Sequence, residues 1–128
     1  MKTWELGDKG EKTELDKLVE DFTAGADVDY DQRLARYDIF GSIAHVYALE
    51  QLELVNSDEA RKLRNELRNL LDEDLNLVPG DEDIHTRVEN ELTDRLGKTG
   101  EKLHTARSRN DQVLVDVRLF TKAELFKL

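Results

Sequence analysis

Apolar residues along this chain recur at helical spacing, and nowhere do they keep up the strict alternation of a strand. Leu15, Leu18, Val19 and Phe22 fall at i, i+3, i+4 and i+7, one helical stripe, with Thr13 placed as an N-cap and Gly25 ending the pattern. Ala26–Asp29 read as a short extended connection. A long helix is predicted from about Tyr30 to Leu52, with Leu34, Tyr37, Ile39, Ile43, Val46 and Tyr47 on its apolar faces. Gly41-Ser42 falls in its middle, where Gly costs about 1 kcal/mol against Ala, so a neighbouring helix must approach closely there or the helix must kink. Ser57 is the expected cap of the next helix, lined by Leu63, Leu67, Leu70 and Leu71, and Val78-Pro79-Gly80 marks a turn. Asp81 or Asp83 caps a fourth helix with Ile84, Val88, Leu92 and Leu96 at spacing four, and Gly97 stops it. Lys98–Ser108 has no periodicity and reads as an ordered loop. A last helix starts near Asn110 and runs to the end, with Val113, Val117, Phe120 and Leu125 on one side. The fold class is all-α. Residues 1–12 are a flexible lead, 13–109 a helical domain, and 110–128 the start of a further long helix.

Composition narrows the partners. A length of 128 residues fits one domain. Equal shares of hydrophobic and charged residues, 38% each, suit helices with wide solvated faces. The net charge of −10 argues against nucleic acid and against an anionic membrane surface. The charge is uneven: residues 98–128 hold seven Lys and Arg against four Asp and Glu, so they carry +3 and residues 1–97 carry −13. There is no cysteine, no signal-peptide core and no run of transmembrane length, so a cytoplasmic protein is expected.

The basic-leaning region also holds the candidate chemistry. Lys102–Val113 packs a Lys, two Arg, a His, two hydroxyls and two amides into twelve residues just before and at a helix start. Helix N-terminal N–H groups and Arg forks converging on one place hold a small polyanion; the plainer alternative is a charged loop followed by a helix cap. His45, mid-helix, reads as a packed core or interface residue. His104 stands between a structural bond and a site role. His85, in the first turn of a helix, is by itself an ordinary capping-region histidine. No spacing argues for a metal, and no Ser-centred triad or phosphate loop can be assembled.

The segment His104-Thr105-Ala106-Arg107-Ser108-Arg109-Asn110-Asp111-Gln112-Val113 resembles the signature of the argininosuccinate lyases and their lens relatives, the delta-crystallins. Asp81-Glu82-Asp83-Ile84-His85-Thr86, followed by Glu89-x-Glu91-Leu92-Thr93 and Gly97, agrees with the same family. So, more loosely, does Tyr37-Asp38-Ile39-Phe40-Gly41-Ser42-Ile43-Ala44-His45. The three occur in the family's order and cover roughly residues 14–128. The resemblance implies the N-terminal helical domain of the fumarase/aspartase-like fold plus the start of its first long bundle helix. It implies cleavage of argininosuccinate to arginine and fumarate by β-elimination, without a cofactor or a metal, in a homotetramer whose sites are shared between subunits. Ser108, Arg109, Asn110 and His85 match the family's substrate-binding residues, and Gly25, Asp83 and Arg107 lie at further candidate positions. Gly25 stands where the family has a substrate-touching Ser, and Trp4-Glu5-Leu6-Gly7-Asp8 replaces its Trp-Gly-Gly-Arg-Phe opening. The family's base Ser and assisting His would lie beyond residue 128. The chain is therefore expected to be a fragment, inactive alone, of a lyase. A non-catalytic relative of the delta-crystallin type and an unrelated helical assembly module are the alternatives.

Overall fold

The computed structural model describes residues 14–23, 27–78 and 81–128, and every regular element among them is helical. In chain order these are α1 (Glu14–Thr23), α2 (Asp27–Asp31), a 3₁₀ turn (Gln32–Leu34), α3 (Ala35–Gln51), α4 (Ser57–Asp72), α5 (Ile84–Leu96), α6 (Lys98–Glu101), a second 3₁₀ turn (Lys102–His104) and α7 (Arg109–Leu125). This agrees with the all-α expectation. The proposed flexible lead over 1–12 and the candidate Gly25 lie outside the described residues.

The core forms where α3, α4 and α5 lean together. Leu63, Leu67 and Leu70 of α4 are fully buried at i, i+4 and i+7; so are Ile84, Val88 and Leu92 of α5 at spacing four. Val46 and Leu49 of α3 close the third side. Burying one such aliphatic side chain contributes about 1.5–3 kcal/mol. Leu103, from the second 3₁₀ turn, plugs the same core at 1% exposure. The apolar stripe of α1 is there as well, but Leu15 and Phe22 are 67% and 90% exposed.

Polar groups fix the ends of these helices. Asn56, and not Ser57, caps α4: its side chain accepts from Glu59 N at 2.9 Å while Glu59 accepts from Asn56 N at 3.1 Å, a reciprocal capping box. Asp83 caps α5, accepting from Thr86 N at 2.6 Å, and Asp31 accepts from Ile84 N. Asp81 instead closes the preceding turn through Val78 N at 2.8 Å. Gln32 clamps the segment before α5 with both ends of its amide, donating to Leu75 O at 2.8 Å and accepting from Leu77 N at 2.7 Å.

Two local expectations need correction. The connection expected to be extended over Ala26–Asp29 is already helical from Asp27. The stretch expected as a loop over Lys98–Ser108 holds α6 and the second 3₁₀ turn. Gly97 (φ 58°) turns the chain out of α5, and Gly100 lets α6 fold back so closely that a Cβ there would run into the Leu92 carbonyl. Such short turns carry too few residues to show a period. The last helix, α7, begins at Arg109 and ends at Leu125, and most of its apolar side faces outward. Val113, Val117 and Leu125 are exposed; Gln112 and Asp116 are its buried residues. Phe120 alone of the expected stripe packs inward, edge-on to Tyr37 at 5.9 Å and under the Arg33 guanidinium at 5.0 Å.

Candidate functional site

The two N-terminal caps of α5 decide where His85 goes. With Asp83 on the Thr86 amide and Asp31 on the Ile84 amide, the first turn is locked, and His85 points into the junction of α3, α5 and α7 at 1% exposure. There it meets two acids that are fully buried, Asp38 of α3 and Asp116 of α7. His85 Nδ1 donates to Asp38 Oδ1 at 2.8 Å and lies 3.4 Å from Asp116 Oδ2. Gln112 Nε2 donates to the same Asp38 oxygen at 2.7 Å.

A continuous path leads from this pocket to the helix start. Arg109 Nη1 donates to Gln112 Oε1 at 2.8 Å and to Glu89 Oε1 at 3.3 Å, and Arg109 Nε lies 3.8 Å from Asp83 Oδ2. His85, Asp38, Gln112 and Arg109 thus form one hydrogen-bonded chain across three helices. Ser108 caps α7 with a 3.3 Å bond from Asn110 N, and both Ser108 and Asn110 are exposed at the helix mouth. The structure brings His85, Asp83, Arg109, Ser108 and Asn110 into one neighbourhood.

Arg107 is turned the other way. Ala106 adopts φ 55°, a left-handed conformation that a non-Gly residue takes at some cost, and the chain reverses there. Arg107 Nη1 then donates to Ser42 Oγ at 2.9 Å, and its guanidinium lies over Gly41, where a Cβ would meet it at 3.4 Å. The mid-helix glycine therefore makes room for an arginine and for α7. The loop before α7 is pinned on both flanks: His45 Nε2 donates to Thr105 O at 2.9 Å, and His104 Nδ1 to Glu89 at 3.1 Å.

The electrostatics follow from burial. Desolvation pushes the Asp116 carboxyl up, the nearby Asp38 charge adds to this, and its pKa reaches about 8. Both Asp116 oxygens lack a donor, which a charged carboxylate at that depth could not sustain; a retained proton removes the conflict. Burial works against the Asp38 charge too, yet the bonds from His85 and Gln112 hold its carboxyl below the usual range. Burial disfavours imidazolium at His85, but the hydrogen bond to Asp38 and the Asp38 charge outweigh it and raise the His85 pKa. Burial lowers the Arg107 pKa.

One ring nitrogen of His85 and one oxygen each of Asp38 and Asp116 lie within 4.8 Å of one another, and among the described residues these groups could hold a cation. Asp38 Oδ1 and His85 Nδ1 are already engaged in hydrogen bonds, while Asp38 Oδ2, His85 Nε2 and both Asp116 oxygens have no partner among the described residues. Reading the sequence missed Asp38, Gln112 and Asp116 as site residues. The available signal was a pair of polar i, i+4 steps, Asp38/Ser42 and Gln112/Asp116, on two helices with apolar residues beside them.

Known proteins match this chain along nearly all of its length. A lyase family model covers residues 10–128. An argininosuccinate lyase of Thermotoga neapolitana is 45% identical over 131 residues, taking in 99% of this chain and 32% of the relative. One from Thermoanaerobacter pseudethanolicus is 43% identical over 118 residues, 91% of this chain and 26% of the relative. One from Parabacteroides distasonis is 41% identical over 132 residues, 100% of this chain and 28% of the relative. The chain spans about a quarter to a third of the length of these curated relatives.

Proposed function

The chain belongs to the lyase family, and from that premise we propose that it is the N-terminal part of an argininosuccinate lyase. The observation that carries the reading is identity of 41–45% to proteins of that name, running through all three sequence motifs. The hydrogen-bonded chain from His85 to Arg109 supports it, because it joins two of those motifs in space.

In this reading the reaction is a β-elimination. A base takes a proton from the carbon next to a carboxylate, the C–N bond to the guanidino nitrogen breaks, and arginine and fumarate leave. Charge builds on the carboxylate, so the site must aim preorganised donors at it. Arg109 supplies a planar fork suited to a carboxylate, and Asn110 both donates and accepts. Ser108 adds a hydroxyl at the helix N-terminus, where the backbone also favours an anion. His85 orients the substrate from the buried side, and Asp83 steers Arg109. Arg107, bonded to Ser42, is placed to shape the loop. The base is supplied by a segment outside these 128 residues. We assign 13–109 to the helical domain and 110–128 to the first bundle helix, in a cytoplasmic homotetramer. Among the described residues no helix is long and apolar enough to cross a membrane.

The test is turnover. The full-length protein carrying this chain is expected to release fumarate from argininosuccinate, and residues 1–128 alone to release none. A full-length protein that folds and binds argininosuccinate without cleaving it would point instead to a structural relative of the delta-crystallin type. Fumarate release by the 128-residue chain would overturn the division of labour proposed here.

A further inference from the structure

We propose that Asp38 is a positioning residue for His85: its carboxylate takes the Nδ1 proton in a hydrogen bond, fixes the plane of the ring, and so leaves Nε2 as the nitrogen that meets the substrate. This rests on the lyase reading above, in which His85 is a substrate-side group.

The geometry supplies each part. Asp38 and His85 sit 47 residues apart on α3 and α5, so no local turn accounts for their 2.8 Å bond. Gln112 of α7 donates to the same oxygen at 2.7 Å, which keeps the carboxylate from swinging away. Through its other end Gln112 accepts from Arg109, so a single buried acid orients both the imidazole and the guanidinium. His85 Nε2 is buried and has no partner among the described residues. A buried nitrogen without a partner is costly, and such orphans are rare in folded proteins. A ring held by one nitrogen, with the other kept unpaired, is set up to receive a ligand atom.

Why a carboxylate does this follows from its charge. A neutral acceptor would fix the tautomer, but only a charge also supports the imidazolium inside a low-dielectric junction. The other groups acting on the ring keep that charge single. Asp116 of α7, 3.4 Å away, has no hydrogen-bond donor among the described residues, and burial beside Asp38 pushes its carboxyl up, which favours its neutral form. Asp83 and Asp31 act from the α5 caps, and Arg107 balances Asp38 from the loop before α7.

Long-range 1H–15N spectra of the 15N-labelled chain, 14.8 kDa per copy, report the protonation of its histidine rings. Above its titration midpoint, where the ring is neutral, His85 is expected to carry its single proton on Nδ1. In Asp38→Asn the ring is expected to shift toward the Nε2–H tautomer, and its titration midpoint to fall by about 1–3 units, the usual effect of losing a neighbouring opposite charge. Asp116→Asn, which mimics the protonated acid, is expected to leave the tautomer in place. Wild-type His85 with its proton on Nε2 would overturn the proposal, even if Asp38→Asn failed to fold. So would a folded Asp38→Asn with an unchanged ring. In the full-length protein Asp38→Asn is expected to lower kcat/KM for argininosuccinate about 10- to 100-fold, as for other groups that orient a functional histidine, with a displaced pH profile. Full activity with an unmoved profile would count against it. A wild-type protein inactive on argininosuccinate would remove the lyase reading, while the ring spectra would still decide the role of Asp38.

Discussion

Asp116 is fully buried on α7, and burial together with the Asp38 charge pushes its pKa up to about 8. The ordinary value is 3.8, so across the interval between the two the folded chain holds a proton that the unfolded chain has lost. Stability must then fall as pH rises through that window. His85 acts in the same direction: its folded pKa is raised from 6.5, so its contribution is full below that value and is lost as pH rises through the folded one. We expect the urea midpoint of the chain to drop from about pH 5 to about pH 9, and Asp116→Asn to flatten most of the slope. Equal slopes in the two proteins would mean that Asp116 is ionised in the folded state. A second residue-scale expectation concerns catalysis in the full-length protein. Arg109→Ala and Asn110→Ala should each cost about 2.7–4 kcal/mol in kcat/KM, the range for one donor to a developing anion. Arg61→Ala, on exposed α4 surface, should do little. Losses of equal size from all three would trace to folding and not to a site. His85 and Ser108–Asn110 could be picked out of the sequence because motifs carry them. Asp38 and Gln112 lie in the same motifs without a role attached to them, and Asp116 lies outside; in a chain that is 38% charged a polar i, i+4 pair reads as solvated surface until the packing is known.

The helices differ in how much of them a pattern can announce. Those of α4 and α5 were legible because their leucines and valines repeat at i, i+4 and all face one core. The cap of α4 was misassigned by one residue, since Asn56 and Ser57 are both good N-caps and only the reciprocal Glu59 bond tells them apart. That box predicts a stability cost: Asn56→Ala should destabilise by about 0.5–2 kcal/mol in thermal or urea unfolding. Short α6 was illegible, but it now carries a sharper expectation. A Cβ at Gly100 would strike the Leu92 backbone carbonyl, which cannot rotate away as a side chain could. Gly100→Ala should therefore cost about 1–3 kcal/mol, the range for overpacking, despite the better helix propensity of Ala. An unchanged melting temperature for Gly100→Ala would show that α6 does not sit against α5 in solution.

At the scale of the whole molecule, α7 presents two faces of opposite character. The inner face is polar, holding Gln112 and Asp116 against α3 and α5, and this is where the site chemistry gathers. The outer face is apolar: Val113, Leu114, Val117 and Leu125 are 37–63% exposed. An open groove of about 460 Å³ runs beside it, lined by Val117, Thr121, Leu125 and Phe126. The periodicity of the sequence shows the outer stripe, which is left without a partner in these 128 residues; the inward polar stripe has no such period to announce it. An amphipathic helix turned inside out in this way makes sense in an assembly, where the apolar side meets other long helices and the polar side lines a site. Under the homotetramer reading, the 128-residue chain is expected to sediment above its 14.8 kDa monomer mass. Val117→Lys is expected to return it to the monomer while leaving its helical circular dichroism intact, because Val117 contributes nothing to the core formed by α3, α4 and α5. A wild-type chain that sediments as a monomer would contradict this.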